Sequence, residues 1–189
     1  MIIAMTSEHQ AGPMDRFTTR SCLPTDHPAI LRAIQTWWAD SRDETAAREL
    51  SRLVPRLFCE HFGDTSLVIE GEDGELAGFL VGFFSQRVTD EAYIHFVGVA
   101  PWARGSGLAK QAYEWFFQTA TANGRHTVRA ITSPGNHGSI AFHQRMGFTI
   151  EPSEHTVEGS PTALDYDGPG EHRVRFVRDL TATPSATLR

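Results

Sequence analysis

The apolar residues of this chain repeat with two different periods, and the change of period marks out its elements. Ile30, Ile34, Trp37 and Trp38 recur every three or four positions and share one helical face. Thr25, Asp26 and Pro28 stand just before that stripe, where proline loses nothing by lacking an N–H, so a helix is expected to begin there. A second helical stretch is expected from near Asp43. Leu50, Leu53, Val54, Leu57 and Phe58 form its apolar side, and Pro55 should kink or restart it. From Thr65 the pattern becomes that of extended chain. Thr65 to Glu70 and Glu75 to Phe84 read as strands joined through Glu72, Asp73 and Gly74, whose Asp-Gly step is a hairpin signal. Ala92 to Val99 is a third apolar run.

Helical spacing returns between Leu108 and Ala122. Lys110, Gln111, Glu114 and Gln118 fall on one arc and Leu108, Ala112, Trp115, Phe116 and Thr119 on the other, as in a helix laid on a sheet. Thr127 to Thr132 reads as a strand, Ser133 to Asn136 as a turn, Ser139 to Met146 as a short helix, and Phe148 and Ile150 as the start of another strand. Arg16 to Ser21 and His172 to Arg178 alternate as edge strands do, and the glycine- and proline-bearing stretch Ser153 to Gly170 reads as a surface loop. Helices alternating with strands, one pair of them a hairpin, imply an α/β domain with mixed strand directions. Met1 to Asp15 and Thr181 to Arg189 lack periodicity and are expected to be mobile tails around a folded unit at 16–180.

A hydrophobic share of 40% over 189 residues suits one domain with a sizeable core. Seventeen Lys and Arg face 23 Asp and Glu, a net charge of -6, and the basic residues are scattered. That balance argues against nucleic acid or an anionic membrane as partner. It leaves room for a small anionic ligand, which needs only a few aimed N–H groups and one cation. Cys22 and Cys59 match no metal-ligand spacing and are read as free thiols, and no metal is expected. No stretch approaches the ~20 apolar residues of a membrane span, and acidic Glu8 interrupts the region where a signal peptide would be apolar. A cytoplasmic setting is the default that follows.

The candidate chemistry lies where the third apolar run ends and the long helix begins. Glycines at such a junction let successive N–H groups point into one concavity, and the helix dipole adds roughly half a positive charge there. Gly105 and Gly107 supply the glycines and Arg104 a cation at the rim, a set suited to a diphosphate. No Gly-Lys-Ser or Gly-Lys-Thr follows, so this is no P-loop, and Gly105 to Ala109 does not complete a dinucleotide fingerprint.

Val99, Pro101, Arg104, Gly105, Gly107, Leu108 and Ala109 together resemble the acetyl-CoA signature of the GNAT superfamily of N-acetyltransferases, whose core pattern is filled by Arg104, Gly107 and Ala109. Asn136, Ser139, Ile140, Ala141, Phe142, Gly147 and Phe148 resemble its second signature, an Asn-led helix ending in Gly-Phe. The resemblance implies a mixed, mostly antiparallel sheet flanked by helices and transfer of an acetyl group from acetyl-CoA to an amine. It assigns the pyrophosphate to the backbone from Arg104 through Gly105, Ser106, Gly107 and Leu108 to Ala109, and the pantetheine arm to the strand at Val97, Gly98 and Val99. The backbone N–H of Val97 or Gly98 would meet the oxyanion, and Asn136, with Ser139 beside it, would contact the cofactor.

An alkyl amine of pKa ~10 is neutral only about once in a thousand at pH 7, so a base is useful. On a regular strand Glu91, Tyr93, His95, Val97 and Val99 share a face, which makes His95 and Glu91 the candidate bases, through water; a bulge, common in the family, would reverse this for Glu91. The resemblance puts the proton donor for the departing thiolate at His143, where many members carry tyrosine. Trp38, Arg42 and Tyr93 are the candidate acceptor contacts, with Trp37, His61 and Tyr166 near them. The amine stays unnamed, and a homodimer is an allowed assembly. A transferase for longer acyl groups and a non-catalytic acyl-CoA sensor are the alternatives.

Overall fold

The computed structural model describes residues 16–38 and 43–182. The tail expected at Met1 to Asp15, and all but Thr181 and Ala182 of the other, lie outside the described residues. The strands are β1 (Thr18–Ser21), β2 (Leu67–Glu70), β3 (Leu76–Phe84), β4 (Glu91–Val99), β5 (Thr127–Thr132), β6 (Thr149–Ile150), β7 (Thr156–Val157), β8 (Ser160–Pro161) and β9 (Val174–Asp179). The helices are α1 (His27–Trp37), α2 (Glu44–Ser51), α3 (Leu57–His61), α4 (Leu108–Ala122) and α5 (His137–Arg145). Seven strands form one sheet in the order β1-β2-β3-β4-β5-β9-β6, and β7 and β8 make a separate hairpin. Within the large sheet only β4 and β5 run parallel; the other pairs are antiparallel.

Local chemistry explains the helix boundaries. Pro28 stands in the first turn of α1. The Asp43 carboxylate accepts the Ala46 N–H at 2.8 Å and so starts α2. The single stretch expected from Asp43 divides, because Pro55 has no N–H to continue the ladder and the chain restarts as α3. On one face of the sheet, Ile30, Ile34 and Val54 from the N-terminal helical region bury Val68, Phe79 and Val81. On the other face, α4 and α5 cover Leu80, Ile94, Val128 and Phe176. Phe79, Phe116 and Phe176 are fully buried, and truncating such a ring to alanine costs about 3–5 kcal/mol.

Three expectations need correction. The strand expected at His172 to Arg178 is not an edge: β9 pairs with β5 on one side and β6 on the other, because the chain returns to insert it. On α4, Tyr113 and Phe117 take core positions and Trp115 and Thr119 lie at the flank, so the buried arc is rotated from the expected one. The third concerns β4. Val81 pairs with Phe96 but Gly82 pairs with Ile94, leaving His95 as an extra residue in a bulge. Ala92 and Ile94 join the α4-side core, and so do Val97 and Val99. Glu91, Tyr93 and Phe96 therefore belong to the opposite face, where Phe96 packs with Phe79 and Tyr93 stacks on Phe83. The single shared face expected for Glu91 through Val99 does not exist.

Candidate active site

β4 and β5 pair only where Glu91, Ala92 and Tyr93 meet Thr127, Val128 and Arg129. Beyond Tyr93 the two strands part, and the rest of β4 offers one edge to a gap in the sheet. The direction of that edge follows from one bond: Ala100 N–H donates to Ala77 C=O on the β3 side at 2.9 Å. Alternate residues address the same edge, so Gly98 also faces β3, and the N–H and C=O of Val97 and Val99 face the gap. Of the two oxyanion donors expected, the Val97 N–H faces the gap and the Gly98 N–H faces β3. Gly98 has another reason to be glycine: an added Cβ would lie 2.6 Å from the Phe79 ring and 3.2 Å from Trp37, which packs there from the end of α1.

At the end of that edge lies the glycine turn. Gly105 has φ 79° and Gly107 φ 91°, left-handed conformations that glycine adopts at little cost. Nothing lies within 4 Å of a Cβ built at either, so the turn opens onto free space. Gln111 N–H donates to Gly107 C=O at 3.0 Å, closing the first turn of α4 and leaving the N–H groups of Leu108, Ala109 and Lys110 without helical acceptors. The Leu108 side chain is buried in the core, so only its backbone reaches the turn. Arg104 donates to Trp37 C=O at 2.7 Å, tying the rim to α1, and Ser106 Oγ donates to Ala103 C=O at 2.6 Å. Val97, Val99, Arg104, Ala109, Ser139 and Phe142 help to line a cavity of about 410 Å³.

A second cavity of about 250 Å³ shares Trp38, Val97, Tyr113, Ser139 and His143 with the first and reaches to His95 and Asn136. Asn136 caps α5: its side-chain oxygen accepts the Ser139 N–H at 3.1 Å. His143 is buried and stacked on Phe176 with ring centroids 4.3 Å apart. Its Nδ1 lies 2.8 Å from Ser139 C=O, which can only accept, so Nδ1 carries the proton. Nε2 is then an acceptor, and the Tyr113 hydroxyl donates to it at 3.0 Å. Burial pushes the His143 pKa below its usual value, only partly offset by the Ser139 carbonyl; burial also pushes the Tyr113 hydroxyl pKa up. The pair is neutral at pH 7. Tyr113 was absent from the sequence-based candidates, although its spacing from Ala112, Phe116 and Phe117 marks it as the one hydroxyl on the buried arc of α4.

His95 presents a different environment. Its Nε2–H donates to Leu53 C=O at 2.6 Å and its ring stacks on Phe58 at 4.5 Å, so the lone pair is on Nδ1. Glu91 is elsewhere: its carboxylate accepts Arg129 Nε–H at 2.7 Å on the face opposite Val97 and Val99, outside both cavities just described. Trp38 lines both cavities, whereas Tyr93 and Tyr166 line a third, with Glu91 and Arg129. Arg42 lies outside the described residues, and His61 lines none of these three. Among the described residues no three His, Cys, Asp or Glu side chains gather as a metal site would, and no helix is long and apolar enough to cross a membrane.

The model of the Acetyltransferase (GNAT) family matches residues 31–148, more than half of the chain, including the gap, the glycine turn and α5. The chain belongs to the GNAT acetyltransferase family. Among curated GNAT-like relatives, the L-2,4-diaminobutyric acid acetyltransferase of Nocardia farcinica is 28% identical over 119 residues, 60% of this chain and 61% of the relative. The 5-NmdU N-acetyltransferase of Pseudomonas phage PaMx11 is 26% identical over 132 residues, 69% of this chain and 86% of the relative. The chain thus spans about three fifths of the length of the first relative. In fold it is similar to the diaminobutyrate acetyltransferase of Paenibacillus lautus, solved with L-2,4-diaminobutyric acid and coenzyme A, at TM-score 0.62 and 20% identity, over 90% of this chain and 98% of that one. It is similar also to Ard1 from Thermoplasma volcanium, at TM-score 0.61 and 20% identity, over 87% and 98%.

Proposed function

We propose that this GNAT protein transfers an acetyl group from acetyl-CoA to the primary amine of a small molecule, which attacks directly. The observation that carries this reading is the continuity of the unpaired Val97 and Val99 edge with the open turn at Gly105 and Gly107. An extended pantetheine arm can add to such an edge as a strand would, and a diphosphate fits first-turn N–H groups and a nearby guanidinium. Arg104 to Ala109 would hold the diphosphate, Val97 and Val99 the arm, and Ser139 and Phe142 its opposite wall. The bound co-substrate supplies an acetyl group activated as a thioester. Cys22 and Cys59 are both buried in the core between the sheet and the N-terminal helices, which supports attack without an acyl-enzyme. The acceptor named for the Nocardia farcinica relative, L-2,4-diaminobutyric acid, supports a small acceptor. We place the reaction in the cytoplasm.

His95 is the base we assign. Leu53 fixes its tautomer, and Nδ1 is left to take a proton from the amine through water. Glu91 loses that role here, held by Arg129 away from the gap. Val97 N–H meets the oxygen that gains negative charge. His143, neutral and bonded at both nitrogens, works through Tyr113: it positions the hydroxyl oxygen, and as the sulfur departs the O–H swings from Nε2 to the thiolate, exchanging one donated hydrogen bond for another. Burial keeps the tyrosine proton on its oxygen, so the thiol takes its proton from water. Thiol release from acetyl-CoA with a panel of amines tests the activity. Turnover is expected. CoA binding without turnover by any amine would replace this reading with that of a sensor, and preference for longer acyl-CoA donors would revise the acyl group.

A further inference from the structure

On the face of the sheet that carries Glu91, a separate cavity of about 350 Å³ opens beside the His95 cavity, and the two share Ala130 and Ile131 as a common wall. Its charged lining is balanced: Glu91 and Glu151 face Arg129 and Arg175. The bonding within that set is uneven. Arg129 is held from two sides, giving Nε to Glu91 at 2.7 Å and Nη1 to Glu151 at 2.5 Å. Arg175 is not: its one ion-pair contact is Nε to Glu151 at 3.4 Å, and its guanidinium lies 6.0 Å from the Tyr166 ring centre. Glu91 uses one oxygen, on Arg129, and leaves the other open. The cavity therefore offers one open carboxylate oxygen and one guanidinium with donors to spare, in a net neutral surround.

Position relates this cavity to the reaction. Tyr93 is in register with Arg129 and, across β5 and β9, Ile131 is in register with Arg175. Arg175 thus stands near the level of His95 and two strands away, at least ~10 Å, because the usual strand spacing is widened by the gap beyond Tyr93. A simple cation or anion would meet as much repulsion as attraction there. A zwitterion meets opposite charge at both ends. We infer that this cavity binds the α-amino acid head group of the acceptor, its ammonium at Glu91 and its carboxylate at Arg175, while a side-chain amine of the same molecule reaches His95. The inference rests on the acetyltransfer proposed above and names its substrate class, an α-amino acid with a second, terminal amine.

The test uses the full chain, acetyl-CoA and thiol release. L-2,4-diaminobutyrate, L-ornithine and L-lysine are compared with the diamines that lack their carboxylate and the ω-amino acids that lack their α-amine. At least one of the amino acids should exceed both counterparts about tenfold or more in kcat/KM, mainly through KM, the loss expected for one charged hydrogen bond. Arg175→Met should bring the ratio of amino acid to diamine close to one, and Arg175→Lys should restore part of it. Glu91→Gln should erase the preference over the ω-amino acid. Melting curves confirm that the variants fold. Diamines used as well as amino acids, or a preference surviving Arg175→Met, would overturn the subsite while leaving acetyltransfer standing. No thiol release with any amine would overturn both.

Discussion

Gly107 allows the diphosphate cradle to be tested with strain and charge separated. An L-residue at φ 91° costs about 1–2 kcal/mol relative to glycine. With nothing within 4 Å of the added Cβ, no clash adds to it. Gly107→Ala should therefore fold, with a melting temperature lowered by roughly 2–8 °C for a domain of this size, and should keep most of its CoA affinity. Gly107→Gln adds bulk to the same strain. Gly107→Glu adds a negative charge where the diphosphate is expected. At ~5 Å and an effective dielectric constant near 20, each like-charge pair costs about 3 kcal/mol, more than a hundredfold in Kd. Titration calorimetry with CoA on the three variants is the measurement. A Kd for Gly107→Glu more than about a hundredfold above that of Gly107→Gln is expected. Equal values for the two, in folded protein, would show that the anion does not bind at this turn.

Three other outcomes follow from the same geometry. Tyr113→Phe should lower kcat by roughly ten- to a hundredfold with little change in CoA affinity, and should destabilise the fold by about 1–3 kcal/mol because the buried His143 Nε2 loses its donor; steady-state kinetics and denaturant melts check both, and an unchanged kcat removes the tyrosine from the reaction. His95→Gln can keep the bond to Leu53 but has no basic nitrogen, so kcat/KM should fall by ~10²–10⁴ in steady-state kinetics, and an unchanged value would remove His95 as the base. His143 is neutral in the fold because burial lowers its pKa, whereas the unfolded chain binds a proton near pH 6.5. The unfolded state therefore gains protons first on acidification, and stability should fall as pH drops below about 6.5; His143→Gln should flatten that slope in melts between pH 7 and 5.

Much of the fold could be read from the sequence because the governing signals are local. The Asp-Gly hairpin, the proline in the first turn of α1, the Asp43 cap and the glycines before α4 each act within a few residues. The place of β9 could not be read this way. Residues 172–178 alternate as any edge strand does, and only the return of the chain between β5 and β6 buries Phe176 against His143. Tyr113 is a smaller failure of the same kind. One step around the helix separates the flank at Trp115 from the core at Phe116, and pattern alone cannot fix that rotation to within a residue.

The candidate site was legible wherever its chemistry is in the main chain and illegible where one inserted residue decides the direction of side chains. The turn and helix start at Arg104 to Ala109 take the expected backbone geometry because glycine conformations and helix ends are written in short motifs. The face of β4 is set instead by the bulge at His95. Without it, Glu91 would point to the same side as Val97, and two bases would compete for the amine. With it, His95 is left over between two registers and is caught by Leu53 and Phe58, while Glu91 turns to Arg129 and a different cavity. One extra residue thus divides a single expected pair into a histidine beside the gap, which we propose as the base, and a carboxylate in the neighbouring cavity, where the proposed acceptor head group would bind.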